Sequence, residues 1–405
     1  MGQLVQEIRI PQLWEKAPIS VETTPLNISL SPPHRPYVPG QKVYPRSDPN
    51  PSTHTMGDSL PQYLKIKVHQ SILEKAYDEI MVVSGYNRYE ADSIAFDGEK
   101  RDKPFNWERP TARVVPGTNT LLVECFPGYD HIEHYAEIIA AYLRVLEGQG
   151  ITNLTPSSRV SFIPASCSDT LRALVEKTNL ADFPGEGIDT VILGLVWHLP
   201  NLTGEEEWKG TGPWQWILKT FDSGRRVAFL GFRPAFWGDI SGEVVHYLAA
   251  RFSVKEVIYL GKLGVLKAGV SPNNWLATGG RSLVSGRVVE WENVLTEAVA
   301  STPSAAGCVM AGDHVTLGSV LHETKNWHAD LKEAVDFVDP EIGMMAQAAV
   351  RSGIRYGYLH MITDNLGQKY DEDLSNERTE SVLVRRARLH QVVKDVMAVH
   401  LARPL

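Results

Sequence analysis

From about Arg159 onward, short runs rich in β-branched and aromatic residues alternate with amphipathic stretches, and this alternation limits the fold to the α/β class. The strand candidates are Arg159–Ile163, Thr190–Trp197, Arg226–Phe232, Glu256–Leu260, Trp275–Thr278, Gly307–Met310 and Tyr356–Ile362. Between them, Thr170–Lys177, Gly242–Phe252, Trp291–Ala300, Glu341–Ser352 and Asn376–Leu401 carry helical patterning. Strands that alternate with helices in this way build a largely parallel central sheet. No internal repeat is present.

The chain ahead of this region reads differently. Pro11 to Pro61 is rich in proline, serine and threonine, and Pro32, Pro33, Pro36, Pro39, Pro45, Pro49 and Pro51 exclude a continuous helix or central strand there. Residues 1–61 are therefore expected to form an arm, and 62–150 an extension of unknown role. Within that extension, Tyr63–Val83 and His131–Gly148 are expected as helices, with a loop-rich segment between them. Residues 151–405 form the α/β domain on this reading.

With 405 residues, 43% hydrophobic and 22% charged, the chain is long enough for one large domain or two smaller ones. A formal charge of -8 argues against a nucleic-acid binder, which needs a concentrated basic surface. The expected partner is a small molecule. Cys125, Cys167 and Cys308 are too far apart for metal-ligand spacing and too few for a disulfide framework. His131 and His134 could approach one metal ion, but lack a carboxylate or cysteine at a matching spacing, so no metal is expected. With no signal-peptide pattern and no apolar run of about 18 residues, a soluble cytoplasmic protein is expected, with no membrane partner.

The stretch Val338-Asp339-Pro340-Glu341-Ile342-Gly343-Met344-Met345, and the apolar run Tyr358–Ile362 followed by Thr363-Asp364-Asn365, hold the strongest functional signal. They set one carboxylate at a helix start and another at a strand end. In an α/β protein such positions lie at the carboxyl edge of the sheet, where ligands bind. The competing readings are local: helix capping for Glu341 and turn chemistry for Asp364. Trp197 and Phe232 end expected strands and, with Trp237, are candidate walls for stacking on a ring, although core packing explains aromatic residues more often.

The order helix, strand Val257–Leu260 and Gly261-Lys262-Leu263-Gly264 resembles the nucleoside phosphorylase superfamily of purine nucleoside and uridine phosphorylases. There such a strand runs into a Gly-x-x-Gly turn at the phosphate site. Asp339-Pro340-Glu341 is similar to the family's Glu-Met-Glu motif, Thr363-Asp364 to its Ser-Asp pair, and Glu377-Arg378 to the arginine that accompanies the aspartate. Ser168-Asp169-Thr170-Leu171-Arg172-Ala173 is similar to its Gly-Asp-Pro-Leu-Arg-Ala turn. The resemblance covers residues 159–401 and implies a three-layer sandwich with a mostly parallel mixed sheet, an N-terminal extension being added to it.

It further implies cleavage of the N-ribosidic bond of a nucleoside or nucleotide, in a homo-oligomer. Glu341 would hold the ribose hydroxyls, while Asp364 would act on the departing base with Arg378 steering its proton. Tyr259, Gly261 and Lys262 would stand at the phosphate site, with Arg172 as a further cation. Phosphate is the candidate co-substrate, with hydrolysis by water the alternative, and no resident cofactor is expected. The family's phosphate arginine and its serine or threonine are replaced here by Tyr259 and Lys262. Lys262 thus keeps several readings: phosphate charge, clamp for a nucleotide's phosphate, amine nucleophile, or surface lysine. The alternatives for the whole chain are a biosynthetic enzyme that has reused the pocket, and a silent nucleoside-binding protein.

Overall fold

A computed structural model describes residues 41–45, 50–84, 110–126, 128–165, 167–204, 206–233, 236–374 and 379–405. Most of the proline-rich arm, and Arg378, lie outside these residues.

The N-terminal part is a small unit of its own. Strands β1 (Glu79–Ser84), β2 (Thr111–Val114), β3 (Thr120–Cys125) and β4 (Val160–Ile163) form a four-stranded sheet in the order β2-β3-β1-β4. Helices α1 (Leu60–Lys65), α2 (Ser71–Glu74) and α3 (Tyr129–Gly148) accompany it. Ile80, Val82, Leu121, Val123, Val160 and Phe162 meet Ile132, Ile138 and Ile139 of α3 in one core. Two sequence expectations change here. Tyr63–Val83 is two short helices followed by a strand, because Ile80 and Val82 alternate inward at a strand's period of two. The strand near Arg159–Ile163, expected as the first of the α/β alternation, pairs with β1 of the small sheet.

The larger sheet contains β5 (Thr190–Gly194), β6 (Trp214–Thr220), β7 (Arg226–Phe232), β8 (Glu256–Val265), β9 (Leu276–Thr278), β10 (Arg281–Val284), β11 (Arg287–Glu290), β12 (Val309–Ala311), β13 (His314–Thr316), β14 (Phe337–Asp339) and β15 (Arg355–Asn365). Its main path is β11-β10-β13-β14-β8-β15-β9-β12, with β5, β7 and β6 branching from β8. Around it lie α4 (Cys167–Glu176), α5 (Pro200–Thr203), α6 (Asp239–Phe252), α7 (Thr296–Ser301), α8 (Lys325–Leu331), α9 (Ile342–Ser352) and α10 (Glu380–Leu401). Most pairings are parallel, including β5 with β7, β5 with β8 and β8 with β15, and this is the expected α/β class. On one face Val257, Tyr259, Leu263, Tyr358 and Ile362 pack with α6 and α9. On the other, Ile258, Leu260, Leu359 and Met361 pack with Leu389, Val393 and Val396 of α10.

Strand β8 is where the sheet changes partners. The parallel strand β5 pairs with it up to Gly194 opposite Leu260, and the antiparallel strand β14 joins it only at Val338 opposite Gly264. Gly261 to Leu263 lie at this changeover, the kind of switch point beside which open α/β sheets hold ligands. None of the described helices is long and apolar enough to cross a membrane.

Candidate functional site

Gly261-Lys262-Leu263-Gly264 is not a turn but part of the extended β8. The expectation of a phosphate-cradling turn fails because the segment stays paired with β15 along its length, Gly261 with His360 and Gly264 with Asp364. Its glycines have a different use. A Cβ on Gly261 would stand 2.9 Å from two atoms of the His360 ring, and one on Gly264 would stand 2.8 Å from Asp364 Oδ2. They make room for two side chains of the neighbouring strand.

Asp339 ends β14 and caps the following helix: its Oδ1 accepts from the amides of Glu341 at 2.9 Å and Ile342 at 2.8 Å. Glu341 therefore does not cap α9, and its own side chain makes no capping bond. Held at 6% exposure, the Glu341 carboxyl is pushed well above the usual range by burial and then by the charge of Asp339. Asp339 behaves oppositely. Burial would raise it, but His314, 3.0 Å from its Oδ1, and His360, 3.6 Å from its Oδ2, hold it below the ordinary value. The His314 Nδ1 lies 2.9 Å from Ser282 Oγ. Burial lowers His360 from 6.5 to about 4 despite Asp339, so it is neutral near pH 7. Tyr259 lies edge-on to His360 at 4.6 Å, and burial and then Glu341 push its phenol well up.

Asp364 follows an irregularity in β15. Ile362 pairs with Leu263 and Asp364 with the very next residue of β8, Gly264, leaving Thr363 as the extra residue of a bulge. The bulge aims Asp364 over Gly264, and Thr363 Oγ1 donates to its Oδ1 at 3.1 Å. Asp364 lines a cleft open to solvent, shared with Glu323, Tyr370 and the N-terminal residues Thr55, Met56 and Ser59. Glu323 is only 5% exposed, and burial followed by the charge of Asp364 raises its carboxyl well above the usual range.

The remaining expected residues are dispersed. Lys262, half-buried, is three residues from Tyr259 and so on the other face of β8. There it adds to burial in lowering His198, and contributes to lowering His390 to about 3; those two rings stack at 4.1 Å. Trp197, on the same side, fills the space left open by Gly231 and is 36% exposed. Phe232 is a core residue stacked on Trp214 at 4.1 Å. Trp237 stacks on His134 at 4.2 Å and donates to the Gly318 carbonyl at 2.8 Å. Arg172 is exposed on α4, within the stretch expected as a helix. His131 and His134 are buried, with Nδ1 atoms near the Phe126 carbonyl and Ser319 Oγ. No group of metal-binding side chains occurs among the described residues.

No protein-family model matches this chain, and no curated protein matches its sequence. Solved structures do match in fold. A 5′-methylthioadenosine/S-adenosylhomocysteine nucleosidase from Colwellia psychrerythraea, in complex with adenine, matches with 12% identity and a TM-score of 0.40 over 54% of this chain and 97% of that one. Futalosine hydrolase of Helicobacter pylori matches with 14% identity and a TM-score of 0.41, over 53% of this chain and 98% of that one. A uridine phosphorylase from Vibrio fischeri matches with 10% identity and a TM-score of 0.43, over 53% and 90%. These are likenesses of fold, over about half of this chain.

Three residues near these carboxylates escaped the sequence reading. His360 had a signal, since Tyr356, Tyr358, His360 and Ile362 alternate on one face of β15. His314 and Glu323 had none, because their partners Asp339 and Asp364 are brought to them by the sheet and not by local spacing.

Proposed function

We propose that the protein cleaves the N-ribosidic bond of a nucleoside or nucleotide, with water as the attacking group. The observation that carries this reading is the pairing of Gly264 with Val338 on one side and Asp364 on the other. The two carboxyl-bearing strand ends thus flank one residue of β8, about 10 Å apart at the usual strand spacing of about 4.8 Å. That span suits a sugar joined to a base. Bond breaking places positive charge on the sugar and negative charge on the base, so it needs an anion at one end and a proton source at the other. Glu341 serves the ribose, its carboxyl exchanging hydrogen bonds with the sugar hydroxyls. Asp364, which lines the cleft with Glu323, serves the base.

Water is favoured over phosphate because Gly261 to Gly264 is paired strand and offers no ring of free amides for an anion. The test is incubation with a panel of purine and pyrimidine nucleosides and nucleotides, with and without phosphate, followed by chromatography of the free base. Release that does not depend on phosphate is expected, and release only with phosphate would replace hydrolysis by phosphorolysis. No release from any compound would refute bond cleavage.

A further inference from the structure

Glu323 has an unusual combination of properties for a residue outside any sequence motif. It follows a short turn, Val320–His322, that joins β13 to α8. The N-terminal segment clamps this turn on three sides. Thr55 N donates to the Glu323 carbonyl at 3.0 Å, Lys325 N donates to the Thr53 carbonyl at 2.7 Å, and His54 Nε2 lies 3.0 Å from the Val320 carbonyl. The backbone is thereby fixed while the side chain is left uncommitted. No described residue hydrogen-bonds the Glu323 carboxyl, which is buried in the fold and lines the cleft beside Asp364. Buried carboxyls ordinarily find a donor or a cation, and one that meets neither is a group waiting for a partner from the cleft.

The two neighbours differ in surroundings. Asp364 is half-buried and accepts from the Thr363 hydroxyl, whereas burial and the Asp364 charge favour the protonated form of Glu323. Two carboxyls whose surroundings separate their protonation states divide the acid and anion roles between them.

We propose that Glu323 is a further catalytic residue of this cleft, donating the proton taken up by the leaving base. The proposal rests on the bond-cleaving reading of the same cleft. The C1′–N bond breaks with its electron pair passing to the base nitrogen, which takes the Glu323 proton. Water bonds to C1′, and the proton it releases returns Glu323 to the acid, so free sugar and base leave with nothing oxidised or reduced. Thr55, Met56 and Ser59 close the outer side of the cleft, so the N-terminal unit holds the acid in place as well as bounding its site.

The test compares the full chain with its Glu323→Gln variant on two substrates: a nucleoside that the wild type cleaves, and a 4-nitrophenyl riboside, whose leaving group departs as a stable anion and needs no proton. The expected result is a loss of about 100-fold or more in kcat/KM on the nucleoside, with the nitrophenyl riboside retained within about threefold. Equal losses on both substrates, or no loss on the nucleoside, would overturn the proposal and leave the bond-cleaving reading standing. A wild type that releases no base would overturn both. Should the amide variant not fold, the wild-type pH profile decides: nucleoside cleavage must fall on the alkaline side while nitrophenyl riboside cleavage persists, and parallel profiles would refute the role.

Discussion

Glu256 and Glu323 are both buried carboxylates of the same α/β unit, yet their surroundings are opposite. Glu256 opens β8, and its side chain is surrounded by cations and donors: Arg225 at 3.0 Å, His400 at 2.9 Å, Arg355 at 3.3 Å and the Thr190 hydroxyl at 3.1 Å. Burial alone would raise it, but the His400 bond and the charges of His400, Arg225 and Arg355 hold it below the ordinary value. Glu323 and Glu341 lie toward the other end of the sheet, where burial and a neighbouring carboxylate act in the same direction. Burial of a carboxylate therefore does not separate scaffold from site. The partner does: cations neutralise Glu256 into a tie among the residue before β7, β8, β15 and α10, whereas Glu323 and Glu341 face burial and a second carboxylate and keep their protons.

Removing the carboxylate charge at each end tests this contrast most strongly. Glu256→Gln leaves Arg225 buried without its counter-charge, and a loss of about 3–5 kcal/mol is expected by urea denaturation. Glu341→Gln replaces a group that is already neutral when folded, so it should not destabilise the chain, and at neutral pH it escapes the cost of keeping Glu341 protonated. Its base release, in contrast, should fall about 100-fold. If Glu341→Gln unfolds the chain as readily as Glu256→Gln, the carboxyl edge is scaffold and the contrast is lost.

Asp364→Asn sharpens the functional half. Base release should fall about 100-fold or more, with the urea midpoint nearly unchanged. Without the Asp364 charge, Glu323 ionises more readily, so the alkaline limb of the pH profile should move to lower pH. An unmoved limb would mean that the two carboxyls do not sense each other.

Stability against pH should show both halves at once. Glu256 has a lowered folded value, so its contribution is present above the ordinary 4.5 and is lost as pH falls through that lowered value. His360, buried neutral, adds an acid-side loss between 6.5 and about 4. Glu323 and Glu341 have raised folded values, so their contributions are full below 4.5 and are lost as pH rises through the raised values. Urea midpoints measured across pH should therefore decline on both sides, with His360→Gln flattening the acid side and Glu341→Gln the alkaline side. A variant profile parallel to the wild type would remove that residue from the account.

The smallest effects concern the glycines of β8. Gly261→Ala presses on the His360 ring and should cost about 1–3 kcal/mol. Gly264→Ala meets the Asp364 carboxyl, a movable side chain, and should reduce base release more than stability. The reverse ranking, with Gly264→Ala the less stable and fully active, would place the carboxyl's position outside the chemistry.

The sequence revealed the strands whose β-branched runs are self-contained, among them β5, β7, β8 and β15, because such runs need no distant partner to be recognised. It misread β1 as the end of a helix, since the polar stretch before Ile80 carries no strong break. The turn assigned to Gly261-Lys262-Leu263-Gly264 failed for a related reason: glycine marks both turns and close approaches, and only the neighbouring strand shows that His360 and Asp364 need the room. Glu341 and Asp364 stand out in the sequence as candidates from their places at a helix start and a strand end. Glu323 was not, because what distinguishes it is burial beside Asp364 and a clamp from Thr53 to Thr55, all set by contacts far apart in the chain.

The most direct measurement is turnover of a cleavable nucleoside in water enriched in oxygen-18, with mass spectrometry of the sugar product. Hydrolysis at the carboxyl edge predicts free base together with ribose carrying the label at its anomeric hydroxyl, in the presence or absence of phosphate. An unlabelled sugar phosphate, or no sugar product from any nucleoside, would contradict it.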